Sequence, residues 1–180
     1  MKKYLISALL FILLASSAWS FDGNRKGFVL GGGLGFAPTA KWEVDGASFI
    51  SESASGFGLN LLIGYAWDAK NMIVYEGNVV GYKPSQLDVQ LTQGFNGAAW
   101  YHYFGETGKS FFTTVGLGIY MFEADGYDSN DAGGGALLGV GYEFSRHWQA
   151  AAYFSGGKTS DPVFDYKHNS FSVLISGLAF

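Results

Sequence analysis

The sequence predicts an all-β protein: a single eight-stranded antiparallel up-and-down transmembrane β-barrel, preceded by a cleavable signal peptide. Three observations carry that expectation. The chain opens like an export signal; it combines 27 Gly and 18% aromatic residues with only 14% charged ones; and the remainder reads as eight segments of about ten residues with apolar side chains at alternate positions.

Lys2 and Lys3 precede an apolar stretch from Tyr4 to Ala15, and the small-residue sequence Ser16-Ser17-Ala18-Trp19-Ser20 follows. That is the order of a secretory signal peptide. Ala18 and Ser20 place the cut between Ser20 and Phe21, because the peptidase pocket admits only short side chains there. A dozen apolar residues reach only about 18 Å as a helix, short of the roughly 30 Å bilayer core, which argues against an anchor. Residues 1–20 are therefore read as signal peptide and residues 21–180 as one barrel domain. Losing Lys2 and Lys3 leaves 9 basic against 15 acidic residues, a net charge of −6 that attracts no nucleic acid. The sequence holds no cysteine, hence neither a disulfide framework nor a lipoprotein acylation site.

Average globular chains carry about 25% charged residues, so this surface suits lipid better than water. No run after Ser20 approaches the roughly 18 apolar residues of a helical span, and lipid tolerates no free sheet edge, which leaves a closed barrel.

The first segment, about 27–37, sets Phe28, Leu30, Leu34 and Phe36 against Gly31, Gly33 and Gly35. The second, about 56–67, alternates Phe57, Leu59, Leu61, Ile63, Tyr65 and Trp67 with Gly58, Asn60, Leu62, Gly64 and Ala66. In the third, about 72–82, Ile73, Tyr75 and Val79 share one face while Glu76 and Asn78 point to the lumen. The fourth, about 89–104, places Val89, Leu91, Phe95, Ala99, Tyr101 and Tyr103 opposite Gln90, Thr92, Asn96 and His102, the polar set being read as luminal. The fifth, 110–123, sets Phe111, Val115, Leu117, Ile119 and Met121 against Phe112, Thr114, Gly116, Gly118 and Tyr120. The sixth, 134–144, alternates Ala136, Leu138, Val140, Tyr142 and Phe144 with Gly135, Leu137, Gly139, Gly141 and Glu143. The seventh, about 148–156, and the eighth, 170–180, complete the set; both parities of the eighth are apolar, so its facing rests on Phe180.

An even strand number puts both chain ends on the periplasmic side. Long outer loops are expected at 38–55 and 158–169 and an intermediate one at 124–133. Tight periplasmic turns are expected at 68–71, 105–109 and 145–147, and the outer connection 83–88 is short. Proline cannot donate to a strand ladder, so Pro38, Pro84 and Pro162 are assigned to outer loops. Tryptophan favours the membrane–water boundary, and Trp67, Trp100 and Trp148 form the expected periplasmic-side aromatic girdle.

Segments such as Val115-Gly116-Leu117-Gly118-Ile119-Tyr120 and Leu138-Gly139-Val140-Gly141-Tyr142-Glu143-Phe144, with the terminal Phe180, resemble the small Gram-negative outer-membrane β-barrel proteins of the OmpA and OmpX type. The resemblance covers nearly all of residues 21–180. It implies location in the cell outer membrane, with outer-membrane lipid and lipopolysaccharide as surroundings. It also implies that the last strand, with Leu178 and Phe180 at its alternate apolar positions, is the assembly signal read by the barrel-assembly machinery; Ile175 stands where that family often has glycine.

No catalytic, cofactor-binding or metal-binding residue is expected. His168-Asn169-Ser170 looks superficially like the His-x-Ser of outer-membrane lipid A deacylases, but no Asp or Glu follows Ser170 to act as the acid. His102, His147 and His168 lack partners at metal-ligand spacing. The acidic stretch 125–131 lacks the order of a calcium loop, and Gly31-Gly32-Gly33 lacks the helix and Lys-Ser/Thr of a phosphate loop. Asn60, Glu76, Asn78, Gln90, Asn96, His102 and Glu143 would form a luminal polar network or line a narrow path, unless Phe112, Tyr120 and Tyr153 fill the space. The expected function is therefore non-enzymatic, a structural or surface-interaction barrel meeting an extracellular partner through its loops. A narrow channel for small or hydrophobic solutes is the alternative, and a lipid-modifying enzyme rests only on His168 and Ser170. Deleting part of residues 41–54 is expected to leave folding intact.

Overall fold

The computed structural model describes residues 25–180 apart from 46, 85–88, 127–129 and 161–164. The expected signal peptide and Pro162 lie outside the described residues. The alternating segments become eight strands: β1 (Gly27–Val44), β2 (Ala47–Ala66), β3 (Asn71–Tyr82), β4 (Leu91–Tyr103), β5 (Ser110–Ala124), β6 (Asn130–Ser145), β7 (Trp148–Ser160) and β8 (Asp165–Ala179). Each pairs antiparallel with its sequence neighbours, and β8 returns to β1 to close the barrel. Closure leaves no strand edge, the condition for placing a sheet in hydrocarbon.

The register fixes the tilt. From Gly27, successive partners are Ala66, Met72, Tyr101, Thr114, Gly139, Tyr153 and Ser172. Ser172 lies between Val173, opposite Phe36, and Phe171, opposite Thr39. One circuit therefore returns to β1 near Ala37, about ten residues above its start, a stagger that tilts eight strands by about 40°.

Side chains then sort by parity. On β2, Phe57, Leu59, Leu61, Ile63 and Tyr65, with Trp67 just beyond the strand, are exposed, whereas Asn60, Leu62 and Ala66 are buried. From Phe57 to Trp67, ten residues at this tilt cover about 25 Å along the barrel axis, the height of the apolar band on outer-membrane barrels. Exposed apolar residues continue the belt around the wall, among them Phe111, Leu117, Val140, Phe154 and Val173. A soluble protein does not expose such a continuous surface, and a bilayer covers it.

Four expectations are corrected. On β4 the aromatic parity turns inward: Phe95, Tyr101 and Tyr103 are fully buried, and Trp100 faces out. Asn96 instead accepts from Tyr75 Oη at 3.0 Å on the outer wall, His102 pairs with Asn71 at 2.8 Å, and Gln90 lies exposed before the strand. The 38–55 loop is ordered sheet, because β1 and β2 run past the belt to a connection of two residues and β1 also pairs with β8 there, from Thr39 opposite Phe171 to Val44 opposite Tyr166. Deleting part of residues 41–54 would therefore unpair the outer end of β8, contrary to the expectation from sequence. Pro38 sits within β1, at a register shift between Ala37 and Ala40 on one side and Phe36 and Thr39 on the other. A bulge leaves one residue unpaired, which accommodates a residue without an N–H. Finally, Leu178 and Phe180 are buried, while Phe171, Val173 and Ile175 face lipid.

Candidate functional site

The lumen is built by alternation: the inward parity of each strand delivers a glycine, a small polar residue or a large ring. Phe112, Tyr120 and Tyr153 are all buried. Rings and glycines are complementary across strands. A methyl group at Gly139 would lie 2.8 Å from Tyr153 Cδ1, one at Gly141 2.4 Å from Phe112 Cζ, and one at Gly157 2.3 Å from Tyr120 Cβ. The glycines thus make the space that the rings occupy, and dispersion contacts follow.

Polar groups form three layers. At the periplasmic end, Arg25 donates to Ala69 O and to Glu143 Oε2, both members of the ion pair being fully buried. Gly108 N donates to the same carboxylate oxygen at 2.6 Å, from a turn in which Gly108 takes φ +92°, a conformation costly for other residues. The Arg25 guanidinium lies 3.4 Å from the Tyr103 ring centroid, and Tyr103 Oη donates to Gln149 Oε1 at 2.8 Å. Phe180 closes this layer, its ring 6.0 Å from Arg25. In the middle layer, Tyr101 Oη donates to Glu76 Oε2 at 2.7 Å and meets Tyr153 Oη at 3.2 Å, so the proton of that second contact comes from Tyr153. Ser176 Oγ donates to Asn60 Oδ1 at 3.1 Å nearby.

At the outer mouth, Tyr82 Oη donates to Gln93 Oε1 at 2.9 Å, and Gln93 Nε2 donates to Asn169 O at 2.9 Å. His168 stacks on Tyr120 and Phe122, with centroids 5.7 and 4.8 Å away, and its Nε2 bonds Thr159 Oγ1 at 2.8 Å. Ser170 instead bonds Ser155 at 2.9 Å. His168 and Ser170 share the inward face without touching one another as base and nucleophile. Among the described residues no cluster of three His, Cys, Asp or Glu side chains could hold a metal ion.

Outside the mouth, Asp45 at the tip of the β1–β2 hairpin accepts from Lys158 Nζ at 2.9 Å and Lys167 Nζ at 2.5 Å, and its backbone N–H donates to Asp165 O at 2.7 Å. The hydrogen bonds from Lys167 and then Lys158 hold the Asp45 carboxyl at a pKa of about 2, below its usual 3.8. A carboxylate whose folded pKa is depressed stabilises above its ordinary pKa and ceases to do so as pH falls through the folded value. Protection of the hairpin-tip amides, taken relative to the intrinsic exchange rate at each pH, is therefore expected to hold down to about pH 4 and to fall towards pH 2. Unchanged protection across that window would show that the clip contributes nothing to the hairpin.

Of the residues singled out from sequence, Asn60, Glu76, Asn78 and Glu143 are buried in the lumen, Glu143 in a layer apart from Asn60 and Glu76, and Gln90, Asn96 and His102 are not. Trp67, Trp100 and Trp148 stand exposed on the outer wall. Sequence reasoning missed Arg25 and the Lys158–Asp45–Lys167 clip. The signal for Arg25 was Glu143 itself, since a buried carboxylate calls for a compensating partner, a cation at Glu143 and the Tyr101 hydroxyl at Glu76.

No protein-family model matches the sequence, nor does any curated protein sequence. Solved structures do match the fold. Neisserial surface protein A superposes with a TM-score of 0.55 at 18% identity, covering 85% of this chain and 96% of that one. Ail, the attachment invasion locus protein of Yersinia pestis, solved with the heparin analogue sucrose octasulfate, superposes with a TM-score of 0.53 at 15% identity, covering 85% and 99%. At such identities the likeness establishes the fold. Together with the apolar belt, the closed eight-strand order and the stagger, it makes this chain a small eight-stranded antiparallel β-barrel of the outer-membrane type.

Proposed function

We propose that the mature chain is a non-enzymatic barrel of the outer membrane that acts at the cell surface, holding ordered outer hairpins above the bilayer for contact with an extracellular partner. The observation that carries this reading is the division of the molecule. Its lumen is packed with Tyr101, Tyr103, Phe112, Tyr120 and Tyr153, while β1, β2, β7 and β8 continue as paired sheet beyond the belt. A packed interior serves rigidity, and rigid strands beyond the membrane serve presentation. The fold neighbours include a surface protein and an attachment protein, which supports the same reading.

Labelling of intact cells with a membrane-impermeant amine reagent tests the arrangement. Lys158, whose side chain is 63% exposed, is expected to react. Reaction only after lysis would refute outward display. Cells carrying the barrel should then adhere to host-cell surfaces more than cells carrying an unrelated barrel. In planar bilayers the filled lumen is expected to give no discrete conductance steps, and regular steps would favour the channel reading.

Leu178 and Phe180 are proposed to serve additionally as the signal for the barrel-assembly machinery. Phe180→Ala is expected to lower outer-membrane insertion in cells several-fold more than it lowers the folded fraction in detergent. Equal losses in both would assign Phe180 to packing against Arg25 alone.

A further inference from the structure

The outer wall over β3, β4 and β5 breaks the apolar belt at one polar side chain. Asn96 projects outward from β4; its Oδ1 accepts from Tyr75 Oη at 3.0 Å, while its Nδ2 reaches only the Met121 sulfur, at 3.5 Å. Asn96 is the register partner of Gly77, and Gly77 that of Leu61, near the middle of the belt on β2. One circuit climbs ten residues over eight strands, so each step to the next strand climbs about 3 Å, and Asn96 lies about 9 Å outward of the belt's middle, still within hydrocarbon. An amide N–H has no water to turn to at that depth, and a thioether sulfur is a weak acceptor.

The two flanks of β4 differ in relief. Two steps of the register climb about 6 Å, so a β5 residue stands level with a β3 residue when it lies about two positions before the register partner. Leu117 is therefore level with Gly77, Ile119 with Val79 and Met121 with Gly81; at the rim Glu123 is level with Lys83, which follows β3 on the same parity. Leu117 is 73% exposed, and Ile119 and Met121 also stand out from the wall. On the other flank Val79 rises between two glycines, and beside it the wall dips into a depression of about 180 Å³ bordered by Thr92, Gly94 and Asn96. A ridge thus runs along one side of β4 and a trough along the other.

A two-fold axis along the membrane normal, passing beside Asn96, sets the β5 flank of one barrel against the β3 flank of another at equal height. The Leu117–Ile119–Met121 ridge of each copy then enters the Gly77–Gly81 trough of the other, and Glu123 of each faces Lys83 of the other, both residues being exposed. Asn96 meets Asn96. The carbonyl and one N–H of a primary amide lie side by side, so two amides related by the axis exchange two hydrogen bonds, and each Oδ1 keeps its second lone pair for Tyr75.

We propose that this face of β3, β4 and β5 binds a second copy of the same chain in the outer membrane, with Asn96 paired across the axis. The inference rests on the membrane reading above. Relief, rim charge and amide are each complementary to themselves under one rotation, as an isologous contact requires. Lipid tails would cover the ridge and trough but offer the amide no acceptor, and polar side chains act as glue between membrane-spanning segments.

The chain has no cysteine, so a single one placed on the wall reports proximity directly. In outer membranes treated with a mild oxidant, Asn96→Cys is expected to give a disulfide-linked dimer, and Val173→Cys on β8, at the opposite wall, is not. In lipid vesicles, energy transfer between separately labelled copies of the mature chain should rise with the protein-to-lipid ratio, and Asn96→Leu should weaken association by about tenfold. Lys83→Glu or Glu123→Lys alone should weaken it by about threefold, and the two together should restore it, because the exchange keeps opposite charges facing across the axis. Equal cross-linking at both positions, association indifferent to Asn96→Leu, a double charge variant no better than the single ones, or cross-linking of Asn96→Cys to a different protein alone would each overturn the proposal. A chain with no heat-modifiable folded band overturns the membrane reading itself, whereas a folded barrel that stays monomeric at every protein-to-lipid ratio overturns only the dimer.

Discussion

Replacing Arg25 with Met is expected to destabilise the barrel by about 3–5 kcal/mol, the usual cost of stranding one member of a buried ion pair. The change leaves Glu143 fully buried with Gly108 N as its remaining donor, and it frees the Ala69 carbonyl. Urea unfolding of the barrel in lipid vesicles, followed by tryptophan emission, measures the loss. Because the cost arises from an uncompensated charge, Arg25→Met combined with Glu143→Leu should recover most of it. If the double variant is as unstable as the single one, the guanidinium matters through its contact with the Tyr103 ring instead, and the ion pair is secondary.

A leucine at Gly139 should be nearly as damaging, by about 3 kcal/mol or more, since overpacking a filled core forces side chains and backbone to move. The atoms nearest a Cβ there are Thr114 Cγ2 at 2.7 Å and Tyr153 Cδ1 at 2.8 Å, both on side chains. Truncating the ring makes the room, so Gly139→Leu with Tyr153→Ala should refold better than Gly139→Leu alone. The temperature at which the compact gel band is lost reads both effects. No rescue by Tyr153→Ala would mean that the glycine is needed for its backbone and that ring packing is incidental.

These two variants mark the boundary between what alternation revealed and what it hid. On β2, β5 and β6 one parity is plainly greasy and the other mixes glycine and polar residues with a few large side chains, and the strands face as their sequences indicate. On β4 the same rule inverts the wall, because aromatic residues serve both as lipid contacts and as luminal filling. What decides between those roles is the strand alongside: the Phe95 ring lies over Gly116 of β5, where a Cβ would come within 3.0 Å of its Cζ. Glycine on a neighbouring strand is thus a better indicator of an inward ring than apolar character on its own strand. In β8 both parities are apolar, so periodicity held no information about Phe180. The outer loops were misjudged because polar residues such as Lys41, Glu43 and Lys167 look like loop composition, although they form the water-facing side of continuing strands. The clip around Asp45 joins residues more than a hundred positions apart, a distance over which local pattern is silent.

The seam between β1 and β8 sets a kinetic condition on the whole molecule. Seven of the eight pairings are hairpins that nucleate locally, but Leu30 must find Ala179, 149 positions away. Loop-closure entropy for a flexible chain of that length is about 4 kcal/mol, and nothing is recovered until the last strand docks. An unzipped sheet with two exposed edges is the species most exposed to aggregation while it waits. The folding rate of this barrel should therefore depend on how early its final strand is captured, and far less on the stability of any single hairpin.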